Sequence, residues 1–144
     1  MRLACALLIG VGLLGCSGEA PYKGDKRHAV QGTVKYNDEP VNNGMISFVG
    51  ESGDAAKQFT TGAPIIEGKY SIEENRGPNA GKYQVIVKWS KPTGKKHKDN
   101  DTGEMIDDVK EVIPKKYNDV TELRAEIKAG DNTFDFDLKG PAPK

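Results

Sequence analysis

Cysteine is almost missing from this chain: of 144 residues only Cys5 and Cys16 are cysteines, and none follows. Everything after position 16 therefore has neither a disulfide framework nor a cysteine-based metal site. Histidine is equally scarce. There are two, His28 and His97, and neither has a partner at a spacing suited to zinc. Charge of one sign is lacking too, since 21 basic side chains balance 21 acidic ones. No net field draws in nucleic acid or an anionic surface. There is no Gly-x-Ser-x-Gly, phosphate loop or dinucleotide fingerprint. The residues point to no enzyme, no cofactor and no metal. Asp99-Asn100-Asp101-Thr102-Gly103-Glu104 places oxygen ligands at alternate positions but fails the EF-hand pattern, so it reads as a solvated loop.

What the chain does have is turn residues and alternation. Seventeen glycines and eight prolines accompany a hydrophobic content of only 36%. That balance suits a thin β-sandwich better than a helical bundle. The longest alternation is Gly81 to Ser90, with Tyr83, Val85, Val87 and Trp89 on one face. Period two with β-branched and aromatic residues predicts a half-buried strand, taken as the central one. Around it the sequence predicts strands at Ala29–Tyr36, Met45–Val49, Gln58–Ile66, Lys69–Ile72, Leu123–Ile127 and Thr133–Leu138. Phe48, Tyr70, Phe134 and Phe136 are expected to point inward with Tyr83 and Trp89. Glu67-Gly68 is a two-residue hairpin candidate. Lys91 to Glu111 is expected to be a long charged loop, either functional or mobile.

The N-terminus differs in kind. Arg2 precedes an apolar run from Leu3 to Leu14, too short to span a hydrocarbon core. It ends in Leu13-Leu14-Gly15-Cys16, which resembles a bacterial lipobox. That resemblance implies signal cleavage between Gly15 and Cys16, lipidation of Cys16 and loss of Cys5 with the leader. Acyl chains at Cys16 would anchor the protein to a membrane. The expected organisation is a signal peptide at 1–15, the lipidated Cys and a flexible tether at 16–28, a β-sandwich domain at 29–139 and a tail at 140–144.

Val30-x-Gly32-x-Val34, Pro40-Val41 and Gly44-x-Ile46-x-Phe48, with Gly68-Lys69-Tyr70 and Gly81-Lys82-Tyr83, resemble a carboxypeptidase regulatory-like domain. Small bacterial lipoproteins with one such domain are similar to the whole chain. They share elements like Pro114-Lys115-Lys116-Tyr117-Asn118 and the closing run Asn132 to Leu138. The resemblance implies an all-β, transthyretin-like (prealbumin-like) seven-stranded antiparallel sandwich. It brings no catalytic residues. Related adhesin domains form Lys–Asn isopeptide bonds, but Lys35, Lys82 and Lys88 read as outward here.

Two functional readings follow. The first is a non-enzymatic envelope lipoprotein, on the outer membrane or the periplasmic face, whose sandwich is a structural or protein-interaction module. The second is a small-ligand or carbohydrate-binding lipoprotein using the Lys91–Glu111 loop, with Trp89 or Tyr117 as a platform. The expected partners are the membrane, through Cys16, and a protein or glycan, but no nucleic acid. Trp89 discriminates between the readings, because its place in the alternation puts it in the core.

Overall fold

The computed structural model describes residues 24–51 and 59–141. Within them the chain is all-β, arranged in several sheets and not as a barrel. In order the strands are β1 (Val30–Tyr36), β2 (Glu39–Pro40), β3 (Gly44–Gly50), β4 (Thr60–Ile65), β5 (Lys69–Ile72) and β6 (Gly81–Lys88), then β7 (Ser90–Lys98), β8 (Met105–Glu111), β9 (Arg124–Ile127), β10 (Asn132–Thr133) and β11 (Phe136–Leu138). One-turn 3-10 helices occupy Glu74–Arg76 and Lys115–Tyr117.

The alternation around β6 translates directly into burial. Tyr83, Val85, Val87 and Trp89 are at most 4% exposed, while Lys82, Lys88 and Ser90 are exposed. β6 lies inside a four-stranded antiparallel sheet of order β4-β3-β6-β9. Pairing Phe48 with Val85 and Ile46 with Val87 puts apolar side chains of two strands on one face. β4 ends the sheet. Its Pro64 stands opposite Met45, where a missing N–H costs no ladder bond on the free side.

The other sheet is built on β1. β5 and β2 pair with it antiparallel, and β10 and β11 pair with it in parallel. The parallel pairing departs from the all-antiparallel expectation. β1 and the last strands are joined by nearly the whole domain, a crossover long enough to bring them side by side in one direction. Between β10 and β11 the ladder is interrupted. Asp135 turns its carboxylate to Thr33, taking both its backbone N–H and its hydroxyl at 2.8 Å. At Gly32 a Cβ would fall 1.8 Å from the Phe134 carbonyl oxygen, so only glycine admits this approach.

The core lies between these sheets. Phe48 of β3 meets Tyr70 of β5 at 6.1 Å and Phe134 at 6.4 Å between ring centres. Phe134, Phe136 and Leu123 are only half-buried, packed against the core from its margin. The turns follow their residues. Asn37 and Asp38, like Glu67 and Gly68, have both central φ angles positive, the type I′ geometry that suits a two-residue hairpin. The first of these turns lets Glu39 and Pro40 pair with Tyr36 and Lys35. Asn43 has φ 58° in the turn before β3, a left-handed conformation that Asn tolerates.

Both ends of the domain extend past their expected boundaries. His28, assigned to the tether, is only 4% exposed. Its backbone N–H donates to the Pro78 carbonyl at 2.9 Å, and its Nδ1 accepts from the Gly130 N–H at 3.2 Å. Arg27 donates to the Asn75 carbonyl at 2.7 Å and sits over the Phe59 ring. At the other end, Gly140 exchanges hydrogen bonds with the Asn37 side chain, and the Tyr36 hydroxyl donates to the Pro141 carbonyl at 2.6 Å. A run of Gly, Pro and Lys carries no pattern that announces such docking, because the partners are distant backbone groups.

Candidate functional site

The largest correction concerns Lys91 to Glu111. The segment is a hairpin of β7 and β8 and not a loop. The predicted central strand breaks at Trp89, and the chain runs on as β7. Lys96 lies opposite Asp107 and His97 opposite Ile106. The Lys96 ammonium is 3.4 Å from the Asp107 carboxylate, and His97 Nδ1 contacts the Asp108 carboxylate. A register shift between Pro92 and Lys96, with Gly94 at φ 79°, gives a bulge. Charged residues replace hydrophobic alternation here, which is why no period-two signal appears.

The acidic run from Asp99 to Glu104 closes the hairpin. Asp99 donates its N–H to the Glu104 carbonyl at 2.8 Å. Its carboxylate accepts from the backbone N–H groups of Asp101 and Thr102 at 2.9 and 2.7 Å and from the Thr102 hydroxyl at 3.0 Å. The Thr102 N–H first, then its hydroxyl and the Asp101 N–H, hold the Asp99 carboxyl below its ordinary range. Gly103, at φ 74°, completes the turn. Among the described residues no three His, Cys, Asp or Glu come together to hold a metal ion.

At its root the arm is tied to the domain. The Glu111 carboxylate accepts from the N–H groups of Trp89 and Ile113, each at 2.9 Å. Val112 donates to the Trp89 carbonyl at 2.9 Å. Lys91 reaches Glu39 at 2.8 Å and lies 4.0 Å from the centre of the Trp89 ring. Beyond the root, β7 and β8 pack chiefly on each other. Met105 is 59% exposed, Ile106 40% and Val109 62%. The strands differ in charge. β7 carries Lys91, Lys95, Lys96, His97 and Lys98 with no acid, and β8 carries Asp107, Asp108 and Glu111 against one Lys110.

The other residues singled out from the sequence scatter. Trp89 is 4% exposed and donates its indole N–H to the Asn42 carbonyl at 2.6 Å, so it is not a platform. Tyr117 is half-buried and donates to the Lys139 carbonyl at 3.0 Å. His28 is buried at the start of the domain, His97 lies on the exposed arm, and they share no site. Lys35, Lys82 and Lys88 are exposed. Gly15 and Cys16, the proposed cleavage and lipidation site, lie outside the described residues. No helix among the described residues is long and apolar enough to cross a membrane.

Sequence reasoning missed several polar residues that organise the fold from within. The Asn118 amide donates to the Ile113 carbonyl at 3.0 Å. Asn132 donates to the Lys128 and Gly130 carbonyls and accepts from the Lys128 N–H, all at 2.9 Å. Both are under 8% exposed. The only signal was their place in Pro-x-x-Tyr-Asn and Gly-Asp-Asn, runs typical of turns. No family model, curated protein or solved structure matches this chain.

Proposed function

We propose that the chain is a non-enzymatic envelope lipoprotein, anchored through Cys16, whose β-sandwich presents the β7–β8 arm to a protein partner. The observation that carries this reading is the arm itself. A two-stranded hairpin has little stability of its own in water, yet this one stands away from the core with apolar side chains on a charged surface. By alternation Met105 and Val109 share one face of β8, and exposed apolar side chains on a projecting element suit a contact with another protein. The two sheets support a prealbumin-like sandwich of seven strands, with β2 and β5 sharing one edge of β1 and β10 and β11 read as one interrupted strand. The buried Trp89 speaks against a carbohydrate platform at the arm's base. The lipobox supports the anchor.

A site-specific experiment tests both halves. A photo-crosslinking residue is placed at Met105 or Val109, and for comparison at Val120, which is 68% exposed on the domain. Crosslinking in the native envelope should trap a defined protein from the arm positions and not from Val120. Equal yields from all three would remove the arm's special role. Labelled palmitate should enter the native chain and not Cys16→Ser; label in the variant would refute the anchor.

A further inference from the structure

A cleft opens where the arm meets the domain. It holds about 610 Å³ and is lined by Tyr36, Lys88, Lys110, Val112, Ile113 and Lys115, among others. That volume falls within the range of small-molecule sites. Its floor is apolar: Tyr36 is 1% and Ile113 3% exposed, and Val112 is half-buried.

The charges around this floor are unevenly satisfied. Two carboxylates, Glu111 and Asp119, also line the cleft. The Glu111 carboxylate is turned to the N–H groups of Trp89 and Ile113, which offset part of its charge. The Asn118 amide is taken by the Ile113 carbonyl, and the Tyr36 hydroxyl by Pro141. Among the described residues, none of Lys88, Lys110 and Lys115 forms an ion pair. Lys110 moreover stands directly opposite Lys91 in the ladder, and like charges so placed repel. Lys91 has Glu39 and the Trp89 ring as partners; Lys110 has no counterpart to them. Among the same residues the Asp119 carboxylate has no ion pair either, so three ammonium groups stand against one unpaired carboxylate, and the unspent binding capacity of the cleft is cationic on balance, set beside an apolar surface.

We propose that this cleft binds a small anionic amphipath. Its carboxylate, or a like anion, is held by Lys88, Lys110 and Lys115. Its apolar body lies over Tyr36, Val112 and Ile113. This site is separate from the exposed face of the arm and does not depend on the partner-binding reading.

The test titrates the full chain with 2-naphthoate, following the amide resonances of Val112 and Ile113. The matched alcohol, 2-naphthalenemethanol, and the matched cation, 2-naphthylmethylammonium, are the controls. Naphthoate should bind saturably and about tenfold or more tighter than the alcohol, the factor expected for one charge-assisted hydrogen bond. The cation should bind least. Replacing Lys88, Lys110 and Lys115 together by Gln should weaken naphthoate about tenfold or more, and Lys110→Gln alone severalfold. Replacing Lys95, Lys96 and Lys98 by Gln removes the same charge from the outer arm and should change affinity by no more than about twofold. Absence of saturable shifts overturns the site. So does equal affinity for the alcohol, or an equal loss in both triple variants, which would reveal only the general field of the lysines. The outer-arm variant should at the same time lose crosslinking to a protein partner if the arm reading is right, so the two ideas fail separately.

Discussion

β6 and β7 are one continuous run of chain separated by Trp89, yet they obey different physics. Every second residue of β6 enters a core where Val85 and Val87 are fully buried. In β7 every residue except Lys91 is exposed, and β8 has only Asp108 half-buried. Both stretches have a hydrogen-bonded ladder, so ladder bonds set geometry in each. What differs is the apolar area removed from water, about 25 cal/mol per Å². The arm instead has exposed ion pairs such as Lys96–Asp107, at 3.4 Å with both side chains more than half exposed. Such pairs contribute only about 0–1 kcal/mol. A strand can therefore be specified by its pairing and turn without contributing much to global stability, which leaves its surface open for other uses.

The sharpest way to break this comparison is at the joint. Trp89→Ala removes a buried ring and its hydrogen bond to Asn42, and should cost about 3–5 kcal/mol. Lys88→Ala, the preceding and exposed residue, should cost no more than about 0.5 kcal/mol. Equilibrium denaturation separates them, and small equal losses would place Trp89 outside the core.

Alkaline pH probes the same core. Burial first, then the Asp135 charge, pushes the Tyr70 hydroxyl far above its ordinary value, and burial also raises Tyr83. A tyrosine whose pKa is raised in the folded state holds its proton where the unfolded chain has lost it. Its contribution is complete below the unfolded value of about 10 and declines as pH rises above it. Denaturation midpoints should fall above about pH 10, with ultraviolet absorbance showing delayed ionisation of part of the tyrosines. Normal titration of Tyr70 and Tyr83 in the folded protein would contradict their burial.

A smaller loss is expected at the arm's root. Glu111→Ala leaves the Trp89 and Ile113 N–H groups without their acceptor, at a cost of about 1–3 kcal/mol. Amide exchange should quicken most at Trp89 and Ile113. Unchanged exchange there would show that the carboxylate does not hold the joint.

Smallest of all are changes on the outer arm. Lys96→Ala should move global stability by no more than about 0.5 kcal/mol, and β7 and β8 amides should exchange faster than those of β6 even in the native chain. The depressed Asp99 carboxyl supplies its turn stabilisation above the ordinary carboxylate range and loses it as pH falls through its own lower value. Acid should therefore quicken exchange at the tip before the four-stranded sheet responds. Protection in the arm equal to that in β6 would erase the contrast between the two regions.

Where side chains enter a core, the sequence was readable. Tyr83, Val85, Val87 and Trp89, Ile46 and Phe48, and Tyr70 and Ile72 all face inward because alternation and burial share a period of two. Glu67-Gly68 was legible from its turn chemistry. The arm was not, since its strands present charge on both faces and periodicity has nothing to report. Its register depends on the Asp99 turn and on cross-strand pairs that only the hairpin brings together. The cleft was equally invisible. Lys88, Lys110 and Lys115 lie on a strand end, the arm and a 3-10 turn, and only their assembly gives a common wall.

By itself the sequence determined an all-β chain, the inward face of its central strand, its hairpin turns and the expectation of a lipid anchor, because each is a local pattern with a local physical cause. The tertiary structure decided that β1 lies parallel to the chain's last strands and that His28 and Gly140 belong to the folded body. It also decided that a charged stretch becomes a projecting hairpin with a cleft lined by three lysines and two carboxylates at its root. Apart from the hairpin's own ladder, those outcomes rest on contacts between residues tens of positions apart. Their free energy appears only when loop closure brings the partners together, and no short window of sequence records it.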